Sequence, residues 1–243
     1  MKHSALKPIL LNEPLLLQQS TLHVNLTYQP KRQLQLILPP KATTKRFPFL
    51  LCLQTPTTPW PLTFLTGLSQ KGFACALITL EQEATLSEQL ADLHSATRFL
   101  ILQAYRYQLD TNRYGLLAHD VACQVALQAV LTSSNQQFHK EDVQVLPLFY
   151  RSLFLISPQL NNEQLLLTTY KRKTFPKLLI FHGQADQLCP VETLATLNQQ
   201  LEDLQADLTF YQIVACPHFS DAFYTPYVTD LIATAFTKSL QRK

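Results

Sequence analysis

Three residues with acid–base side chains follow three separate apolar runs, in the order Asp120, Asp186 and His218. A histidine beside carboxylates can act as a general base, because a carboxylate orients the ring and favours its protonated form. The other carboxylate then has two chemical roles open to it. It can attack a carbon atom as a nucleophile, or it can help to hold the imidazole as a cation. Both roles require a fold in which the three side chains meet.

The segment TNRYGLLAHDVACQVALQAV, residues 111–130, predicts a strand, a tight turn and a helix, with Asp120 on the turn. In a nucleophile elbow the backbone passes close to itself, so the residues two before and two after the turn residue must be small. Ala118 and Ala122 meet this requirement, and Asp tolerates a positive φ better than most non-glycine residues. Taken alone, the same residues are more typical of an ordinary helix N-cap, for which Asp is a preferred residue, than of an elbow.

The rest of the chain alternates between strand and helix patterns. Two segments with period-two alternation, Leu22–Tyr28 and Arg32–Leu38, predict an antiparallel hairpin. The later strand segments are short and mostly apolar, which is typical of strands covered on both faces in a parallel sheet. These strands are predicted at Phe47–Leu53, Phe73–Leu80, Tyr114–Ala118, Ser152–Ser157, Lys177–Phe181 and Leu208–Val214, and helices at Pro61–Lys71, Leu86–Tyr107, Val121–Leu131, Val191–Leu204 and Tyr227–Leu240.

This alternation predicts an α/β protein whose functional groups collect beyond the carboxyl ends of the strands. Asp186 follows one predicted strand in the loop HGQADQLCPVETL, and His218 follows the next in ACPHFSDAF. Alone, each is an ordinary loop residue. Together with Asp120 they give the order turn residue, Asp, His, each after a strand, which resembles the chain order of the α/β-hydrolase triad.

Composition and charge narrow the function classes. The 243 residues are 47% apolar and 15% charged, and the net charge of +3 is too weak and too scattered for a nucleic-acid partner. No window approaches the roughly 18 apolar residues of a membrane span, and the N-terminal segment lacks a signal-peptide pattern. The five cysteines form no CxxC pair, so reduced buried thiols are expected and no metal or other cofactor is predicted. A cytoplasmic location is expected, and a homo-oligomer is compatible with the sequence.

Five segments together resemble the α/β-hydrolase fold, and within it the small, lidless esterase/lipase branch that includes carboxylesterases. QLQLILPP resembles the second strand of that branch, KGFACALITL its glycine-aromatic entry to the next strand, and YQLDTNRYGLLAHDVACQVAL the run that holds the nucleophile. LLIFHGQADQLCPVETLATLNQQL is similar to the acid-bearing segment, and PHFSDAF to the histidine loop. The resemblance implies one domain over residues 1–243, a three-layer sandwich with an eight-stranded, mostly parallel sheet, antiparallel first strands and no cap domain.

The departures from the family pattern fall where its chemistry takes place. Asp120 stands where the family has its nucleophile serine, and residues 54–57, Gln-Thr-Pro-Thr, stand where it has His-Gly-Gly-Gly. The resemblance implies that backbone N–H groups of this loop, together with that of Val121, stabilise a tetrahedral oxyanion. The proline in the loop has no N–H to give. We therefore expect Thr55, Val121 and the nearby Trp60 to line a damaged oxyanion and substrate site.

Three hypotheses remain open for the function. The first is a degenerate esterase-like fold with weak or no ester hydrolysis, retained for assembly or to bind a small-molecule ester or related ligand, with His218 held charged between its carboxylates. The second is an active hydrolase in which Asp120 attacks an epoxide or a haloalkane, with Trp60 able to serve as a halide-stabilising group. The third is residual esterase activity from Cys123 or Ser220.

Overall fold

The computed structural model describes residues 22–40, 46–133, 148–161, 165, 170 and 175–241, and the N-terminal segment, for which we expected no signal peptide, lies outside them. The described strands are β1 (Leu22–Gln29), β2 (Arg32–Leu38), β3 (Phe47–Gln54), β4 (Ala74–Thr79), β5 (Leu109–His119), β6 (Ser152–Ile156), β7 (Lys177–Gly183) and β8 (Leu208–Ile213). They form one sheet in the order β1-β2-β4-β3-β5-β6-β7-β8.

The pairing confirms the predicted mixture of strand directions. β1 pairs antiparallel with β2, and β2 pairs antiparallel with β4, whereas every later pair of neighbours is parallel. The hairpin between β1 and β2 turns at Pro30 and Lys31, and Lys31 adopts a left-handed φ of 67°. The parallel strands bring their carboxyl ends to one edge of the sheet, which is where functional loops collect in this architecture.

The helices cover both faces of the sheet and complete a three-layer sandwich. One buried cluster lies between the sheet and helices α1 and α6, and the other lies between the opposite face and helices α2, α4 and α5. The helices are α1 (Leu62–Gln70), α2 (Leu86–Leu102), α3 (Ala104–Tyr107), α4 (Ala122–Thr132), α5 (Ala195–Asp203) and α6 (Pro226–Ser239), with 3₁₀ turns at Val191–Leu194 and Asp221–Tyr224.

Local sequence features account for the strands and helices of this sandwich. The five residues from Phe49 to Leu53 in β3 are fully buried, which explains why this strand reads as a continuous apolar run. Thr85 and Glu88 form a capping box at the start of α2, in which the Glu88 carboxylate accepts from the Thr85 N–H at 2.8 Å. Thr225 caps α6, which has Pro226 at its first position.

Three boundaries differ from the sequence prediction by more than two residues or in the type of element. β5 begins at Leu109 rather than at Tyr114, because the polar residues before Tyr114 continue the strand without an apolar pattern. The helix predicted over Leu86–Tyr107 ends at Leu102 and is followed by the separate short helix α3, and the helix predicted from Val191 begins as a 3₁₀ turn.

No described helix is long and apolar enough to cross a membrane. The predicted absence of a cap concerns the chain between β6 and β7, which lies partly outside the described residues.

Candidate active site

Asp120 lies in the turn between β5 and α4, in the left-handed conformation with a φ of 53°. The small residues on either side, Ala118 and Ala122, are buried. The Asp120 N–H donates to the carbonyl oxygen of Ile156 at 3.1 Å, and the Asp120 carbonyl oxygen accepts from the N–H of Cys123 at 3.1 Å. These contacts hold the backbone in a conformation that is strained for a non-glycine residue, as in a nucleophile elbow.

Asp186 and His218 lie in the loops that follow β7 and β8. The two loops approach closely at Gly183, because a Cβ atom there would lie 2.2 Å from the carbonyl oxygen of Cys216. The N–H of Ala185 donates to the same oxygen at 2.9 Å. A residue without a side chain is therefore needed at the end of β7 for the acid loop and the histidine loop to meet.

The structure brings the three predicted side chains together in one hydrogen-bonded array. The Nδ1 atom of His218 lies 2.7 Å from Oδ2 of Asp186, and its Nε2 atom lies 3.1 Å from Oδ1 of Asp120. All three residues are buried. The imidazole is thus held between two carboxylates at the carboxyl edge of the sheet, in an arrangement we call the carboxylate–histidine array.

The two carboxylates dominate the electrostatics of His218. Burial lowers the pKa of this imidazole, but the hydrogen bonds to Asp120 and Asp186, with the negative charges behind them, outweigh burial and raise the pKa overall. A protonated imidazole has no free lone pair and cannot take a proton from a hydroxyl group or a water molecule. The array therefore favours the form of the histidine that is inactive as a general base.

Two residues that the sequence did not single out hold Asp186 in place. The Ser157 hydroxyl lies 3.3 Å from Oδ2 of Asp186 and 2.9 Å from the carbonyl oxygen of His218. The N–H of Cys189 donates to Oδ1 of Asp186 at 2.8 Å. Ser157 has a positive φ of 45° directly after β6. A polar residue at the end of a buried strand, at the edge that carries the array, is the sequence signal that could have identified it.

A second histidine, His119, lies directly before Asp120 and was also not predicted as part of the site. Its Nδ1 atom lies 2.9 Å from the Tyr224 hydroxyl, and its ring stacks on Trp60 with 4.1 Å between centroids. Burial lowers the pKa of His119 to about 4, against the opposing effects of the Thr58 backbone and the Asp120 charge. His119 is therefore neutral at neutral pH and ties the elbow to the loops on either side of it.

The two residues predicted to supply oxyanion donors, Thr55 and Val121, are in different situations. Thr55 is buried, and its Oγ1 atom accepts from the N–H of Thr58 at 3.2 Å and lies 3.0 Å from the Thr57 hydroxyl oxygen. Its polar side chain thus serves the loop itself. Val121 is 42% exposed beside the elbow, and its N–H donates to none of the described residues. The backbone N–H of Thr55, like that of Val121, donates to none of the described residues, so both of these backbone N–H groups are left available to a ligand.

Trp60 is packed into the structure with both of its N–H groups occupied. The backbone N–H donates to Oε1 of Gln54 at 2.9 Å, and the indole N–H donates to the carbonyl oxygen of Leu53 at 2.8 Å. The ring is stacked against Phe64 on the face of the sheet that α1 covers. The indole N–H that we expected to be able to hold a halide is therefore directed at the backbone.

The two alternative nucleophiles do not contact the histidine nitrogens, both of which have carboxylate partners. Cys123 is fully buried, and burial raises the pKa of its thiol, which disfavours the reactive thiolate. The Ser220 hydroxyl accepts from the N–H of Ala222 at 3.2 Å at the start of a 3₁₀ turn. As predicted, all five cysteines are buried and none is in a disulfide.

Two cavities open on either side of the elbow. The larger, of about 430 Å³, lies beside the histidine loop, and the smaller, of about 300 Å³, lies beside the start of α4. Asp120 lines neither cavity, but it contacts His218, which lines the first, and immediately precedes Val121, which lines the second. The first is lined by Ala185, Gln187, Leu188, Pro217, His218 and Phe219, and the second includes Leu86, Gln89, Val121, Gln124, Gln159 and Leu160.

Comparison with known proteins gives matches at the level of three-dimensional structure. No family model matches the sequence, and no curated protein sequence matches it.

Several solved structures superpose over most of the chain. A truncated carbohydrate esterase from gut microbiota has a TM-score of 0.72 at 16% identity, covering 92% of this chain and 97% of its own. Esterase 2 of Thermogutta terrifontis, phosphonylated by cyclosarin, has a TM-score of 0.73 at 14% identity, covering 91% and 96%. MGS-M1, an α/β-hydrolase enzyme from a Medee basin deep-sea metagenome library, has a TM-score of 0.69 at 14% identity, covering 92% and 100%. The chain therefore has the α/β-hydrolase fold, and the solved structures it is similar to include esterases.

Proposed function

We propose that this chain is a ligand-binding protein built on an esterase-like α/β-hydrolase fold, with weak or no ester hydrolysis. The observation that carries the proposal is the 3.1 Å contact between Oδ1 of Asp120 and Nε2 of His218. In a serine esterase the neutral histidine takes a proton from the nucleophile's hydroxyl group. Asp120 has no hydroxyl proton to give, and its charge favours the protonated histidine. The first step of ester cleavage through an acyl-serine thus lacks its hydroxyl nucleophile, and the neutral histidine that would act as its base is disfavoured.

The loop after β3 supports the same proposal. An ester carbonyl under attack develops a negative charge that needs two or more preorganised N–H donors, each worth about 3–4 kcal/mol. In this loop Pro56 has no N–H, and the N–H of Thr58 is donated to the Thr55 side chain. The N–H groups of Thr55 and Val121, which donate to none of the described residues, would act without a donor from position 56 or position 58. An attack on an ester carbonyl by any nucleophile at the elbow would therefore have fewer donors than a glycine-rich loop supplies.

An Asp120 nucleophile acting on an epoxide or haloalkane is less well supported. Such an attack needs no oxyanion donors, but the alkyl-enzyme ester must then be hydrolysed by a water that His218 activates. The carboxylates beside His218 raise its pKa and so disfavour the neutral form that would activate this water. The indole N–H of Trp60 is donated to Leu53 and does not point at a leaving group.

Three substrate panels test the proposal directly. The wild-type protein and its Asp120→Ala variant are assayed on short-chain nitrophenyl acyl esters, on haloalkanes and on epoxides. We expect no turnover above the uncatalysed rate on any panel. Ester turnover that survives Asp120→Ala would overturn the proposal in favour of another nucleophile. A covalent adduct on Asp120, trapped in a His218→Ala variant and detected by peptide mass spectrometry, would overturn it in favour of an Asp-nucleophile hydrolase.

A further inference from the structure

One oxygen of the elbow carboxylate is left without a protein partner. Asp120 is 94% buried, since 6% of its surface is exposed, and its Oδ1 atom contacts His218. Within the described part of the chain, no hydrogen bond reaches its Oδ2 atom. Oδ2 is not among the described buried polar atoms that lack a partner, so it keeps contact with solvent. It is therefore an acceptor that a hydrogen-bond donor on a ligand can reach, in a setting where a charge-assisted bond is strong.

The three groups of the array carry a net negative charge whether His218 is protonated or neutral, and the buried His182, whose Nε2 atom lies 3.6 Å from Oδ2 of Asp186, is a further titratable group beside them. With both carboxylates ionised, the array carries one net negative charge when His218 is protonated and two when it is neutral. The N-terminus of α4 offsets roughly half a charge, which leaves the balance negative. Asp221, in the 3₁₀ turn after the histidine loop, adds a further acidic group that acts on the neighbouring Tyr224.

The two cavities beside the array contain no compensating cation. Among their described lining residues there is no lysine or arginine, and the polar groups apart from His218 are neutral amides. The rim is apolar, with Val121 42%, Leu188 55% and Phe219 63% exposed. The Phe219 ring stands edge-on to the His218 ring at 4.6 Å between centroids, so it borders the array directly. A cation with an apolar tail would find an anionic floor and an aromatic and aliphatic rim.

We propose that this crevice binds an amphiphilic organic cation, whose ammonium group donates to Oδ2 of Asp120 and whose apolar part packs on Phe219 and Leu188. This inference rests on the proposed function, because it treats the array as a binding group. It gives the replacement of a hydroxyl nucleophile by a carboxylate a chemical consequence: the site changes from one that attacks a neutral ester to one that attracts a positive charge. The same field repels carboxylates, which are the acidic products of ester cleavage.

Three probes of the same length separate charge from apolar packing. Hexylammonium, hexanol and hexanoate are titrated into the full-length protein at pH 6.5, by isothermal calorimetry and by ligand-observed NMR. We expect hexylammonium to bind at least about tenfold more tightly than hexanol, as a charge-assisted hydrogen bond predicts. Hexanoate should bind more weakly than hexanol. Equal binding of the three probes, or tightest binding of hexanoate, would overturn the inference.

The Asp120→Asn variant tests the position of the cation. It keeps the shape of the side chain and removes its charge, so hexylammonium should lose about tenfold in affinity while hexanol binding is unchanged. Asp230→Asn, a surface carboxylate paired with Lys71 at 2.6 Å, is the matched control and should alter neither. An equal loss in both variants would place the cation elsewhere and overturn the inference. Should Asp120→Asn fail to fold, as judged by circular dichroism, the probe order in the wild type still decides the question.

The two proposals fail in different experiments. Turnover on an ester, epoxide or haloalkane panel contradicts the proposed function, whatever the probes do. Selective binding of hexanol or hexanoate contradicts the cation inference, while leaving a non-hydrolytic protein intact. Phe219→Ala should weaken hexylammonium and hexanol alike, because it removes apolar contact that both share; an effect on neither would contradict the placement of the tail.

Discussion

Two halves of the candidate site differ in what their polar groups bind. On one side, β5, β7 and β8 deliver Asp120, Asp186 and His218 into hydrogen-bonding contact, and Ser157 supports the acid. On the other side, the loop after β3 has turned its polar groups on itself, with the Thr55 hydroxyl oxygen accepting from Thr58. The first half retains the geometry of a hydrolase, whereas the second resembles an ordinary structural loop.

The difference shows that the two halves obey separate constraints. The array is buried, so each of its charged groups needs a partner and the loss of one is costly. The loop after β3 is partly exposed and requires only that its own N–H and hydroxyl groups find acceptors. Side chains of the loop can supply these hydrogen-bond acceptors as readily as a substrate can. One half is therefore held together by charge, whereas the loop after β3 is stabilised by hydrogen bonds within itself.

The largest effect on stability is expected from removing one member of the carboxylate–histidine array. Asp186→Ala removes the partner of the His218 ring and of the Cys189 N–H, both of which are buried. Breaking a buried charge pair by deleting one partner costs about 3–5 kcal/mol. We expect the free energy of unfolding, measured by urea denaturation at pH 7, to fall by this amount.

Asp230→Ala is the matched control for this loss. Asp230 pairs with Lys71 at 2.6 Å, but the two side chains are 57% and 49% exposed. Exposed pairs contribute about 0–1 kcal/mol, so the variant should be nearly as stable as the wild type. Comparable losses in the two variants would mean that the array contributes no more to stability than a surface ion pair does.

A second prediction compares two reactions of an Asp120→Ser variant, one that depends on the array and one that also depends on the loop after β3. Asp120→Ser places a hydroxyl next to Nε2 of His218, so the intact half should let a phosphonylating reagent label this serine slowly but to completion. Ester turnover should nevertheless stay about 10²–10³-fold below that of an esterase with a full oxyanion hole, because a donor is missing. Peptide mass spectrometry and nitrophenyl ester assays measure the two quantities.

Pro56→Gly sharpens this prediction when it is added to Asp120→Ser. It restores a backbone N–H to the loop after β3 and should raise ester turnover while labelling is little changed. A His218→Ala variant of the same serine protein should lose the labelling. High turnover of Asp120→Ser alone would contradict the idea that the loop has lost its oxyanion function.

The third prediction concerns the two neighbouring histidines, which have opposite pKa shifts. His119, with a pKa of about 4, takes up protons in the unfolded chain before the folded one, so its contribution to stability is lost as the pH falls from 6.5 to 4. The loss is on the order of 3 kcal/mol. The pKa of His218 is raised, so its ion pairs contribute fully below pH 6.5, and this contribution is lost as the pH rises through the raised pKa.

Urea denaturation between pH 4 and pH 9 tests both predicted directions of the change in stability with pH. The difference in stability between the wild type and His119→Gln should shrink towards acid, and that between the wild type and His218→Gln should shrink towards alkaline pH. The same variants assign the ring protons in NMR titrations, in which His218 should titrate at higher pH than His119. The reverse order of titration would contradict the assignment of the charged histidine to the array.

Much of the fold could be predicted because burial on both faces leaves a strong mark in the sequence. β3 and β7 are nearly continuous apolar runs, and their predicted positions are confirmed to within one or two residues. The prediction failed where polar residues continue a strand, as in the first part of β5. In that part of β5, Leu109 pairs with Phe47 of β3, and the register between the two strands is irregular after this pair. Such an extension is decided by pairing with a neighbouring strand, which local periodicity does not record.

The site could be predicted only as far as strand ends identify it. Asp120, Asp186 and His218 stand in the expected order after strands, so their meeting was predicted. Ser157 and His119 were missed, since a serine or histidine beside an apolar run is common, and the only local signal for Ser157 is its place at the end of a buried strand. Their roles depend on side-chain directions and on loops from distant parts of the chain.

The sequence by itself determined the alternating architecture, the small residues around the elbow and the presence of a carboxylate, rather than a hydroxyl, at its turn residue. It also determined that the loop after β3 lacks an N–H at its proline. The tertiary structure alone decided which hydrogen-bonding groups are paired. Asp120 contacts His218 through one oxygen, and the Trp60 indole N–H is donated to Leu53. Burial lowers the pKa of His119, whereas the two carboxylates raise the pKa of His218. The physical reason is that hydrogen-bond partners and pKa shifts depend on distance and burial, and both are fixed only when segments far apart in the chain are packed together.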